Sequence, residues 1–188
     1  MADANQITPA QFFEQIVPAG FEADAAGNPP QDDATVQYVV TGEGGGEWAL
    51  QIAGGKLNVV KGKVDSPLVT YTVSAADLID AVNGANGAAP TLIIPPRRQG
   101  RPGAGAAVKA LRGTMALNLT RPQGGEPFKL EMCFNGAAAP RTTMTMAISD
   151  YVAMGEGKLN GQEAFMTGKM RVEGDMGFLM QVGMATAS

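Results

Sequence analysis

Apolar and polar positions alternate with a period of two along most of this chain, and that period predicts a sheet. Val36, Tyr38 and Val40 alternate with Gln37, Val39 and Thr41, and Trp48, Leu50 and Ile52 alternate with small or polar residues. Gly42-Glu-Gly-Gly-Gly46 lies between the two runs, so they read as a hairpin. A third, weaker strand is expected near Asn58–Lys61, and Val69, Tyr71 and Val73 mark a fourth. Ser74 then stands as the cap of a helix carrying Leu78, Ile79 and Val82, with its stop at Asn83-Gly84. Ahead of the strands, Thr8-Pro-Ala-Gln11 reads as a capping box with proline in the first turn. Phe12, Phe13, Ile16 and Val17 form its apolar edge, and Pro18 to Gly20 are expected to end that helix.

The pattern comes back downstream. Met115, Leu117 and Leu119 alternate along one strand, Phe128, Leu130, Met132 and Phe134 along another, and Met144, Met146 and Ile148 along a third. Ser149 stands before a helical turn, as Ser74 does. At offsets of 75 to 80 residues, Tyr38 aligns with Leu117, Thr41 with Thr120, Trp48 with Phe128 and Val73 with Ile148. We read a single domain over 1–188, with a first strand unit at 36–83 and a second at 114–188. Residues 84–113, rich in Gly, Pro and basic side chains, read as an insertion, with one or two helical turns between Ala104 and Arg112.

Composition narrows the chemistry. The chain has 188 residues, a net charge of −4, one cysteine and no histidine. The missing histidines remove Ser-His-Asp and Cys-His catalysis and histidine metal sites. Cys133 alternates with the apolar set of its strand and belongs on the opposite face, with nothing charged beside it to activate the thiol. No secretory signal and no apolar run of membrane-spanning length is evident, so a cytoplasmic location is expected. The insertion and its flanks, residues 81–125, hold six bases and no acid: Arg97, Arg98, Arg101, Lys109, Arg112 and Arg121. Either these pair within the fold or face water, or Arg97, Arg98 and Arg101 meet an acidic protein or an anionic membrane surface. The bases lack interleaved aromatics, which argues against nucleic acid.

The C-terminal stretch is the most specific. Gly157-Lys-Leu-Asn160, Ala164-Phe-Met166, Gly168-Lys-Met-Arg-Val172 and Gly174-Asp-Met-Gly177 follow one another at short intervals. They read as a helical turn, a bend at Gly168, a strand from Lys169 to Glu173 and a helix capped by Asp175. On that helix Met176, Leu179, Met180, Gly183 and Met184 share one face. Order and spacing resemble the C-terminal signature of the sterol carrier protein 2 family. The resemblance covers about thirty residues closely and the upstream chain more loosely.

The resemblance implies an α+β fold: a curved, mainly antiparallel sheet covered by helices, here with extra strands. It also implies an apolar tunnel for lipids. Carried over residue by residue, the tunnel wall would be Phe165 and Met166 in the turn, Val172 on the strand, and Met176, Leu179 and Met180 on the last helix. Trp48 would be an aromatic contributed by the second strand, or equally an ordinary core residue. The expected function is non-catalytic binding and transfer of a fatty acid, acyl-CoA, phospholipid or sterol-like molecule, with no cofactor. Two alternatives stay open: a filled-core accessory subunit that binds a protein partner, or delivery of a lipid substrate to an enzyme. Homo-oligomer formation stays open as well.

Overall fold

The computed structural model describes residues 7–27, 32–94 and 104–186. Its centre is one eight-stranded sheet: β1 Ala34–Thr41, β2 Gly46–Ala53, β3 Lys56–Lys61, β4 Val69–Ser74, β5 Gly113–Thr120, β6 Phe128–Phe134, β7 Arg141–Ala147 and β8 Met170–Gly174. The strands lie in the order β3-β2-β1-β4-β6-β5-β7-β8. Five of the seven pairings are antiparallel, while β1·β4 and β5·β7 are parallel. The helices are α1 Pro9–Gln11, α2 Val17–Ala25, α3 Ala75–Asn83, α4 Ala104–Ala110, α5 Ile148–Gly155, α6 Gly161–Met166 and α7 Met176–Thr186. The fold is therefore α+β.

Alternation sets which side of each strand is covered. Tyr38, Trp48, Val73, Leu117, Leu130 and Met144 point to one face and are buried there with Phe13, Leu78, Ile148, Ala164 and Phe178 from the helical elements. The opposite face carries Thr35, Val39, Thr70, Thr72, Ala116, Thr143 and Cys133, all only half-buried. Two connections cross it near one end. Gly62 and Val64 bind the Gln37 side chain, and Ala137 O accepts from Thr114 Oγ1 at 3.0 Å and Cys133 Sγ at 3.5 Å. These crossings produce the parallel pairs without an intervening helix.

The chain draws the same path twice. β1 pairs with β2 antiparallel and with β4 parallel; β5 does the same with β6 and β7. Thr41 Oγ1 donates to Val73 O at 3.5 Å, and Thr120 Oγ1 donates to Met146 O at 3.4 Å. With Tyr38 matched to Leu117, the pairing matches Trp48 to Leu130, Val73 to Met146 and Ser74 to Ala147. Sequence alternation had placed these counterparts two residues away, at Phe128, Ile148 and Ser149. A two-residue slip leaves every side chain on its face, so alternation alone cannot detect it. Ser149 is the second residue of α5, whose cap position is Ala147.

Helix caps behave as their residues dictate. Thr8 Oγ1 accepts from the Gln11 N–H at 3.2 Å and Gln11 Oε1 accepts from the Thr8 N–H at 2.9 Å. Ser74 Oγ accepts from the Asp77 N–H at 3.0 Å, and Gly84 closes α3 at φ 64°. The first helix does not stop at Pro18. A π-helical stretch over Phe12–Ile16 precedes α2, and the helical path runs on to Ala25. Pro18 falls in the first turn of α2, where its missing N–H is tolerated.

Arg121, after β5, binds Asp77 and, at 2.8 Å, Asp80 of α3. The Lys129 N–H also donates to Asp77 at 3.2 Å. This largely buried cluster ties the first strand unit's helix to the second unit's hairpin. It also answers part of the charge question: Arg121 and Lys109, whose partner is Asp32 at 3.8 Å, pair within the fold. Arg97, Arg98 and Arg101 lie outside the described residues.

Candidate functional site: the α6–β8–α7 edge

The C-terminal segment forms one border of the molecule. Asn160 Oδ1 accepts from the Glu163 N–H at 2.7 Å and starts α6. Gly168, at φ 72°, turns the chain into β8, which pairs with β7 from Met146↔Met170 to Thr142↔Gly174. Gly174 has φ 92°, and a Cβ there would lie 2.4 Å from Arg141 O, so only glycine fits this approach. Asp175 then caps α7: its carboxylate accepts from the Phe178 N–H at 2.7 Å.

α7 is apolar on both sides. Phe178, 1% exposed, Val182 and Ala185 face the core. Phe178 meets Phe134 edge-on, with ring centroids 6.1 Å apart, and occupies the space that a side chain at Gly113 would fill. The opposite side carries Met176, Met180 and Met184, which are 40%, 62% and 70% exposed. The methionine face predicted from periodicity is therefore the outward one, with Leu179 half-buried beside it. Phe165 and Met166, at the end of α6, are also exposed, Met166 at 76%. Among the described residues only Ile16 joins these five as an exposed large apolar side chain.

The expected wall residues thus fall into two groups. Phe165, Met166, Val172, Met176, Leu179 and Met180 share this edge; Val172, opposite Met144, faces the helical layer. Trp48 does not join them. It lies on β2, six strand spacings from β8, or about 29 Å at the usual strand separation. There its ring stacks on Phe13 at 5.1 Å and Nε1 donates to Glu14 Oε1 at 3.0 Å. That hydrogen bond, aided by Lys61, holds the Glu14 carboxyl below its usual value, against a smaller opposing effect of burial. Periodicity missed Phe178 and Val182 as the inward residues. Their i, i+4 spacing was visible, but a helix apolar all round gives no contrast by which to choose a face.

Burial raises the phenol pKa of Tyr38, Tyr71 and Tyr151. Tyr38 OH donates to Ile93 O at 2.9 Å. Among the described residues no group of His, Cys, Asp and Glu is arranged to hold a metal, and no helix is long and apolar enough to cross a membrane. Two grooves open to solvent elsewhere. One of about 770 Å³ runs along Asp77, Arg121, Lys129 and Arg141, and one of about 480 Å³ lies by Asp33, Gln51, Lys109 and Asn135. Neither is lined by any of the seven expected wall residues. The edge of α6, β8 and α7 therefore offers apolar surface rather than reactive groups.

Known proteins are similar to parts of this chain. Peroxisomal multifunctional enzyme A of Dictyostelium discoideum is 30% identical over 95 residues, which are 45% of this chain and 22% of that protein. Sterol carrier protein 2 of Homo sapiens is 48% identical over 40 residues, 21% of this chain and 7% of that protein. The matched stretches thus span less than a quarter of these curated relatives. Among solved structures, the sterol carrier protein domain 2 of Helicoverpa armigera gives a TM-score of 0.33 at 26% identity, over 45% of this chain and 76% of that one. Sterol Carrier Protein 2 Like 2 of Aedes aegypti gives 0.29 at 13% identity, over 95% of each chain. Residues 97–186, just under half of the chain, match the SCP-2 sterol transfer family.

Proposed function

We propose that this protein binds, without chemical change, the hydrocarbon part of a lipid against α7 and its surroundings. The observation that supports this most is the two-sided apolar character of α7, inside the segment that matches a transfer family. Phe178 and Val182 hold the helix to the sheet, while Met176, Met180, Phe165 and Met166 offer unbranched, polarizable surface that adapts to different apolar shapes. In this reading the two strand units and the intervening residues build one domain, and the C-terminal edge is where the ligand enters.

Burial sets the scale. At about 0.8 kcal/mol per methylene, ten methylenes supply roughly 8 kcal/mol before the costs of association. Those costs take several kcal/mol, so micromolar affinity calls for chains well beyond ten carbons. Titration of delipidated protein with a fluorescent fatty acid tests the reading. Met180→Trp is expected to weaken binding at least tenfold and leave folding stability unchanged, because residue 180 is exposed. No saturable binding by the wild type would overturn the proposal.

One observation favours a second reading. Phe178 fills the space between α7, Gly113 and Phe134. A filled core of this kind suits an accessory subunit that presents the methionine face to a protein. In that case the fatty acid would not bind, and Met180→Trp would alter only protein association.

A further inference from the structure

The two borders of the sheet are not alike. β3 closes one side with Lys56 and Lys61 at its ends, the usual guard of an unpaired edge. β8 closes the other with Met170-Arg-Val-Glu-Gly174, and among the described residues no strand lies beyond it. Arg171 and Glu173 are exposed on the face away from the helices, and among the described residues neither enters an ion pair. The elements directly before and after this strand carry five of the exposed large apolar side chains: Phe165, Met166, Met176, Met180 and Met184.

The geometry points to self-association of two copies of this chain through β8, antiparallel about a two-fold axis at Val172. The sequence of the strand is self-complementary under that operation. Val172 meets Val172 of the second copy. Arg171 stands opposite Glu173 of the second copy, and Glu173 opposite its Arg171, so both cross-strand pairs join opposite charges. Met170 falls opposite Gly174. An axis perpendicular to the sheet keeps the helical layers of both copies on one side. It also brings the α6 end of each copy toward the α7 start of the other. Exposed methionine and phenylalanine then meet apolar surface instead of water, in a closed, isologous pair. The inference concerns assembly and is independent of whether a lipid binds.

The experiment uses the full chain, delipidated, in sedimentation equilibrium from micromolar to about a hundred micromolar. The wild type is expected to dimerise in this range. Arg171→Glu leaves two acids on the strand, and Glu173→Arg leaves two bases. Each alone places like charges opposite one another twice, and dimerisation is expected to weaken at least tenfold. An equimolar mixture of the two variants is expected to form a mixed dimer, and the double variant R171E/E173R to regain the wild-type constant. Circular dichroism identical to wild type qualifies each variant. Where a reversal fails that check, Arg171→Gln and Glu173→Gln replace it, each expected to weaken the dimer by a smaller factor. A wild type that stays monomeric throughout overturns the inference. So does a dimer indifferent to the substitutions, or one lost in the single variants and not recovered in the mixture.

Discussion

Phe178→Ala probes the orientation of α7 most sharply. The ring is 1% exposed, meets Phe134 edge-on and is pressed against Gly113. Truncation removes a buried aromatic side chain and leaves a cavity, which typically costs about 3–5 kcal/mol. Part of that, about 0.5–1.5 kcal/mol, is the contact between the two rings. For a chain of this size each kcal/mol moves the melting temperature by about 2–4 °C, so a fall of roughly 6–20 °C is expected. Met180→Ala, on the opposite side of the same helix and 62% exposed, is expected to shift stability by no more than about 0.5 kcal/mol. Urea unfolding of lipid-free protein, followed by circular dichroism, measures both at one concentration. Equal losses, or a larger loss at residue 180, would refute the assignment of Phe178 to the core and Met180 to the surface.

Arg121→Ala leaves Asp77 and Asp80 without their shared cation in a largely buried site, and a loss of about 3 kcal/mol in urea unfolding is expected. Glu14, held below the ordinary carboxyl value of 4.5 chiefly by the Trp48 indole, favours the folded state above that value. This contribution is lost as pH falls through the lower folded pKa. The emission of Trp48, the single tryptophan, is therefore expected to change in acid below pH 4.5 and to lose that transition in Glu14→Gln. At high pH the sign reverses. Tyr38, Tyr71 and Tyr151 have raised folded values, so stability is expected to decline above the ordinary value of 10.0. The tyrosinate absorbance is then expected to rise only as the protein unfolds.

Strand positions and helix starts were largely legible in the sequence because each has a local cause. Phe128 to Phe134 alternates cleanly and forms β6; Ser74 and Asp175 have side chains that satisfy the first helical amides and begin α3 and α7. What escaped depends on contacts distant in the chain. Nothing local tells Val69–Ser74 to pair parallel with β1 rather than antiparallel with β3, because the choice is made by where residues 62–68 cross the sheet. The continuation of the first helix past Pro18 depends on the π-helical stretch before it, which no residue pattern announced. At the candidate site the signature located α6, β8 and α7, and five of the wall positions fell on the two helices. It did not separate Met180 from Phe178, because both faces of α7 are apolar. Trp48 was placed with them by resemblance, whereas its neighbours in space are Phe13 and Glu14 of the N-terminal helical segment.

Native mass spectrometry of the purified protein, followed by organic extraction and analysis of what is released, tests the binding claim most directly. Protein isolated without delipidation is expected to show, beside the apo mass, a species heavier by one long-chain lipid. Added fatty acid is expected to displace that lipid from the wild type and to do so poorly in Met180→Trp. A single apo mass, no extractable lipid and no uptake of added fatty acid would contradict the claim and leave the methionine face to a protein partner.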